Sequence, residues 1–123
     1  MRLMEISYWI VAALLALFFL YAGGKKVVQS QERLRPMMGW VDTVPMPFVR
    51  AIGVLEVLGA AGLILPPLTG IAPWLAVAAA IGFAVIQVSA TVLHLRRGEG
   101  NAIWLNLVLL ALIGVTLWLA IAN

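Results

Sequence analysis

Cysteine is absent from the 123-residue sequence, histidine occurs once, and charged residues make up only 11% of it. Without thiols there is no disulfide framework, no thiolate metal site and no iron–sulfur ligation. One histidine cannot supply bis-histidine haem ligation or an ordinary zinc site within a chain, so no metal site is expected. The sequence also lacks a Ser/His/Asp constellation, a P-loop and a G-x-G-x-x-G run. No independent catalytic apparatus is visible, and whether the chain takes part in an enzyme stays open.

What stands in place of charge is apolar: 64% of the residues are hydrophobic and the mean hydropathy is +1.09. Soluble domains are about 45–50% apolar and about a quarter charged. A water-soluble core of this length has nowhere to put so much apolar surface, because small domains bury only about 60–70% of what they expose when unfolded. A soluble enzyme, a disordered tail and a DNA-binding module are all excluded, and the solvent for most of this surface is lipid. The net charge of +3 arises from a few basic residues set between apolar runs. In such a chain they set membrane topology rather than bind phosphate, and no nucleic-acid partner is expected.

A spanning helix needs about 20 mostly apolar residues to cross roughly 30 Å of hydrocarbon. Four stretches meet this: residues 6–24, 48–65, 71–93 and 102–122. The expected fold is an all-α four-helix transmembrane bundle in which residues 1–123 form a single membrane domain. The second span is the weakest, since it contains Arg50 and Glu56. Pro45 and Pro47 precede it, and Pro66-Pro67 is expected to stop it. Pro73 falls in the first turn of the third span, where its missing N–H costs nothing, and Gly98 and Gly100 mark the turn before the fourth. The charges around the first span argue against a signal peptide, since Arg2 is offset by Glu5 while Lys25 and Lys26 follow the apolar run.

Four spans place the first and third connections on one face of the membrane. Lys25, Lys26, Arg33, Arg35, Arg50, Arg96 and Arg97 lie there, seven of the eight basic residues. The positive-inside rule makes that face cytoplasmic and puts both termini on the outer side. Tyr8, Trp9, Trp74 and Trp118 then fall near the outer interface, and Trp40 and Trp104 near the inner one. The long first connection, residues 27–46, begins polar and becomes amphiphilic at Met37, Met38, Gly39, Trp40 and Val41. It reads either as a segment lying in the headgroup region or as a lid over a cytoplasm-facing cavity.

Glu56 is the most informative residue. A charge near a helix centre costs about +2.5 to +3.5 kcal/mol on insertion scales, so it needs a partner, a proton or water. Its helical neighbours Ile52, Gly53, Gly59 and Ala60 are mostly very small, which lets another helix come close and places Glu56 inside the bundle. Arg50 lies six residues away, about 120° round the helix and ~9 Å along it, so a partner from another helix competes with it. Candidates at the same depth are Phe18, Tyr21 and Lys25 on the first span, Gln87, Thr91 and His94 on the third, and Asn106 on the fourth. All lie in the inner half, whereas the outer halves are almost purely Leu, Ile, Val and Ala. The expected site is a polar pocket open to the cytoplasm and built from Glu56, Lys25, Arg50, His94, Gln87, Asn106 and Tyr21. Phe18, Tyr21 and Phe83 would receive the apolar body of an amphiphilic ligand. Lys26, Arg96 and Arg97 read as interfacial topology signals, while Gln87 and Asn106 also suit packing between helices.

The order of these residues resembles the DoxX-like family of small four-helix membrane proteins. Ala22-Gly23-Gly24-Lys25-Lys26 closes the first span, Arg50-Ala51-Ile52-Gly53-Val54-Leu55-Glu56-Val57-Leu58-Gly59 opens the second, and His94-Leu95-Arg96-Arg97-Gly98-Glu99 ends the third. The likeness covers essentially the whole chain. It implies a multi-pass protein of the bacterial cytoplasmic membrane, related to small subunits of quinol oxidase and thiosulfate:quinone oxidoreductase complexes. By carry-over Lys25, Arg50, Glu56 and His94 form the family's polar core. The chain would then be at most a non-catalytic subunit, with no covalently bound cofactor and with a quinone or lipid as ligand. The bilayer is one partner, and an oxidoreductase or a second copy of the chain is another. Two further readings stand beside this one: a small proton-coupled transporter, and a structural assembly protein whose polar residues only specify helix packing.

Overall fold

The computed structural model describes residues 2–100 and 103–122. Four long helices dominate: α1 (Arg2–Val28), α3 (Met46–Thr69), α4 (Leu75–Arg96) and α5 (Ile103–Ala122). The first connection holds a short helix α2 (Gln31–Leu34) and a 3₁₀ turn (Gly39–Asp42). All described elements are helical, and each long helix is long and apolar enough to cross a membrane. The sequence reading starts the fourth span at Ala102, which lies outside the described residues. α1 packs on α3, α3 on α4, α4 on α5, and α5 back on α1, closing a ring.

The bundle's packed end centres on Tyr8, Leu15, Phe19, Leu63, Phe83 and Ile113, all buried. Phe19 and Phe83 stack at 4.0 Å between centroids, and Phe83 lies so close to α3 that a Cβ on Gly59 would come within 2.6 Å of its ring. Large apolar side chains such as Leu17, Leu58, Val85 and Ile121 are exposed on the outside. In water that arrangement would be prohibitive, and in lipid it is the expected one.

Two prolines act differently from the expectation. α3 does not stop at Pro66-Pro67 but continues to Thr69, and Gly70 closes it in the left-handed conformation, its N–H donating to the Pro66 carbonyl. Pro67 has no N–H for the Leu63 carbonyl one turn earlier. The Tyr8 hydroxyl donates to that carbonyl instead, at 2.6 Å. Tyr8 is therefore a core residue, 5% exposed. Its hydroxyl supplies the hydrogen bond that lets the helix run through proline. α4 begins later than expected, at Leu75, so Pro73 sits in the preceding turn and not in the helix.

The first connection is tied down at several points. Ser30 caps α2 by accepting from the Arg33 N–H. Leu34, Val41 and Val49 are wholly buried against one another as a second small core. Arg50, near the start of α3, donates to the carbonyls of Lys26, Val27 and Gln29. A helix C-terminus leaves its last carbonyls unpaired, so Arg50 is the cap of α1.

Candidate ligand-binding cavity

The α1–α3 crossing sets the geometry of the site. A Cβ on Gly23 would lie 2.8 Å from the Gly53 carbonyl oxygen and 2.9 Å from the Glu56 Cβ. A Cβ on Gly53 would lie 2.7 Å from the Lys26 Cβ and 2.8 Å from the Gly23 carbonyl oxygen. Each glycine thus makes room for the charged residue three positions along the other helix. The reciprocal Gly-x-x-Lys and Gly-x-x-Glu spacing, on antiparallel helices, brings Lys26 Nζ to 2.5 Å from Glu56 Oε1. Both side chains are almost fully buried, 8% and 4% exposed. The indole of Trp40, from the first connection, covers the ammonium at 5.6 Å.

A second polar pair bridges α4 and α5. The Gln87 amide donates to Asn106 Oδ1 at 2.7 Å, and both residues are buried. Asn106 Nδ2 has no partner. A third cluster sits where α4 ends. Gly98 adopts the left-handed conformation, the Glu99 N–H returns to the His94 carbonyl and the Gly98 N–H to that of Leu95. This Schellman arrangement folds Glu99 back so that its carboxylate meets His94 Nδ1 at 2.9 Å and Arg97 Nε at 3.1 Å. The hydrogen bond with His94, then that from Arg97, holds the Glu99 carboxyl below the ordinary carboxylate range. Arg97 also donates to Thr43 Oγ1 at 3.0 Å, linking the α4–α5 connection to the first one. The two basic connections therefore share one end of the bundle.

Between these clusters lies a cavity of about 650 Å³, lined by parts of α1, α3, α4 and α5 and by the first connection. Lys26, Glu56, Gln87, His94, Glu99 and Asn106 supply its polar wall, and Phe18, Phe19, Ile86, Leu93 and Leu109 much of the apolar one. Met37, Met38, Gly39, Trp40 and Val44 also line it, so the first connection forms part of the cavity wall. Trp40 lies over Lys26.

Of the residues expected at the site, Glu56, Gln87, His94, Asn106 and Tyr21 line the cavity, and Lys25 and Arg50 do not. Lys25 turns outward, its Nζ 3.4 Å from the Tyr21 hydroxyl and 5.2 Å from the centre of that ring. Successive helical residues point about 100° apart, so a helix that aims Lys26 at α3 aims Lys25 away. Arg50 is used up by the end of α1. Phe83, expected as an apolar wall, belongs instead to the packed core through its stack on Phe19. Lys26 and Glu99 were missed as site residues. The signals that find them are the matched Gly-x-x-charge spacings on α1 and α3, and the left-handed glycine directly before Glu99.

The model of the DoxX-like family matches residues 10–116 of the chain. Searches of curated proteins and of solved structures give no match.

Proposed function

The chain belongs to the DoxX-like family, and from that premise we propose that its cavity holds a quinone or another lipophilic ligand. The protein then acts as a binding or accessory subunit for an oxidoreductase partner. The observation that carries this reading is the cavity of about 650 Å³ with polar pairs on an otherwise apolar wall, the composition that small-molecule sites share. The opposite end of the bundle is filled by Tyr8, Leu15, Leu63 and Ile113, which favours binding over passage through the bundle and leaves proton-coupled transport with less support. The excess of basic residues in the two connections supports a cytoplasmic position for the cavity end, with the termini outside, in a bacterial inner membrane.

One observation favours a purely structural reading: Lys26 and Glu56 satisfy each other at the α1–α3 crossing, as a pair that fixes helix register does. The two readings separate on ligand-dependent stabilisation. Protein in nanodiscs is melted with and without a short-chain quinone, alongside the double variant Lys26→Met/Glu56→Met. Binding at the site predicts an upward shift of the melting temperature that the double variant loses. Equal shifts in both proteins, or none in either, overturn the proposal and leave the structural reading.

A further inference from the structure

The pair at the α1–α3 crossing uses only one of its two carboxylate oxygens. Lys26 Nζ donates to Glu56 Oε1, and Glu56 Oε2 takes no hydrogen bond from any described residue. Among the described residues, the side-chain polar atoms that are both unpaired and sealed from solvent are Gln29 Oε1 and Asn106 Nδ2. Glu56 Oε2 is unpaired without being sealed, so the 4% of that side chain left accessible includes this oxygen. Glu56 stands on the cavity wall, and the cavity is where the oxygen opens. A carboxylate oxygen only accepts, so the head that satisfies it must donate. The charge of Glu56 is already balanced by Lys26. A cationic head would be set against the Lys26 ammonium and an anionic one against the carboxylate, and like charges repel strongly where water is scarce. A carbonyl or ether head can only accept, from the ammonium, and leaves Oε2 bare. A hydroxyl is neutral, donates to the carboxylate and can accept from the ammonium at once. The cavity also reaches the lipid-facing surface, because Phe18, Tyr21, Trp104 and Leu105 both line it and are exposed outside the bundle.

We infer that the cavity selects an uncharged amphiphile with a hydroxyl head, which enters from the bilayer between α1 and α5 and donates its O–H to Glu56 Oε2. This rests on the reading of the cavity as a lipophile site, and deepens it by naming the chemistry of the head and the atom that recognises it. The Lys26–Glu56 pair is then both the register contact of α1 on α3 and the floor on which the head sits.

Four probes with the same alkyl tail test it on the full-length protein in nanodiscs: 1-tetradecanol, its methyl ether, tetradecyl sulfate and tetradecyltrimethylammonium. Binding is followed by tryptophan fluorescence, since Trp40 and Trp104 line the cavity. The alcohol is expected to bind about tenfold more tightly than the ether, which keeps the oxygen and loses the donor. Both charged probes should bind more weakly than the alcohol. In Lys26→Met/Glu56→Met the alcohol should fall to the level of the ether. Comparing the alcohol-to-ether ratio between wild type and variant cancels the partition of each probe into lipid. Should that variant fail to fold, Glu56→Gln keeps an oxygen for Lys26, puts an amide donor in place of Oε2 and should abolish the preference equally. An ether bound as tightly as the alcohol, a preference that survives both variants, or tighter binding of either charged probe overturns this inference and leaves the lipophile site standing. No binding by any probe overturns the site itself.

Discussion

The two ends of the bundle use the same four helices to opposite effect. Toward the chain termini, Tyr8, Leu15, Phe19, Leu63, Phe83 and Ile113 fill the interior, and the one side-chain hydrogen bond described there between helices repairs a carbonyl orphaned by proline. Toward the basic connections the interior is a cavity with ionic and amide pairs on its wall. Lipid gives little hydrophobic drive for one helix to meet another, so close packing and polar contacts decide where helices touch. At the packed end an aromatic stack and a glycine do this. At the cavity end a crossing of two glycines does it, and the charges sit where the crossing leaves space. Among the described residues, the buried charged and amide side chains are therefore confined to the end where something other than side chains can occupy the interior.

Unpairing the cavity end has the largest expected effect. Glu56→Ala leaves Lys26 buried without its carboxylate, and removing one partner of a buried pair costs about 3–5 kcal/mol. Lys26→Met/Glu56→Met should recover much of that loss. Reversible unfolding in mixed micelles measures both variants, and a double variant as unstable as the single one would show that the pair is not the source of the loss. Next comes the crossing itself. Gly53→Ala places a Cβ 2.8 Å from the Gly23 carbonyl oxygen, a backbone atom that cannot swing aside, and about 2–3 kcal/mol of overpacking is expected. Gly114 has open space around it, so Gly114→Ala in the same assay should leave stability unchanged or slightly raised. If the two substitutions behave alike, close approach is not what organises α1 and α3.

The packed end is tested by Tyr8→Phe, which removes the hydrogen bond to Leu63 while keeping the ring. About 1–2 kcal/mol should be lost, and the loss should vanish when Pro67→Ala restores an N–H for that carbonyl. A tyrosine that matters equally with and without the proline would contradict the repair role. The smallest effect concerns the cluster where α4 ends. The folded Glu99 carboxyl titrates below its ordinary value of 4.5, so its contribution to stability is complete above that pH and disappears as the pH falls through the lowered value. Stability of wild type and Glu99→Gln should differ at neutral pH and converge in acid. Curves that stay parallel across that range would mean the carboxylate contributes nothing to the closed connection.

Much of the architecture was legible because it follows from composition. Runs of apolar residues and the near-absence of charge give four helices and their lipid-facing surfaces whatever the packing. Glu56 could be placed inside the bundle for a local reason, since Gly53, Gly59 and Ala60 surround it at helical spacing. Its partner was harder to read. Lys25 and Lys26 are chemically the same and adjacent, and only the rotation of α1 about its axis, set by where Gly23 meets Gly53, selects Lys26. Pro66-Pro67 misled for a related reason: a proline ends a helix unless something else satisfies the carbonyl it orphans, and that donor comes from Tyr8, 55 positions away.

Composition and pattern alone make this a membrane chain of four apolar helices, with its basic residues gathered in two connections and one acid deep in a span. These depend on transfer free energies summed along the chain, which need no knowledge of neighbours. The tertiary structure decided which lysine meets that acid, that Arg50 caps α1, that Glu99 folds back on His94 and that Asn106 keeps a free donor. Those are matters of rotation and contact between segments distant in sequence. A change of 100° about one helix axis, invisible to composition, exchanges a residue that faces lipid for one that faces the cavity.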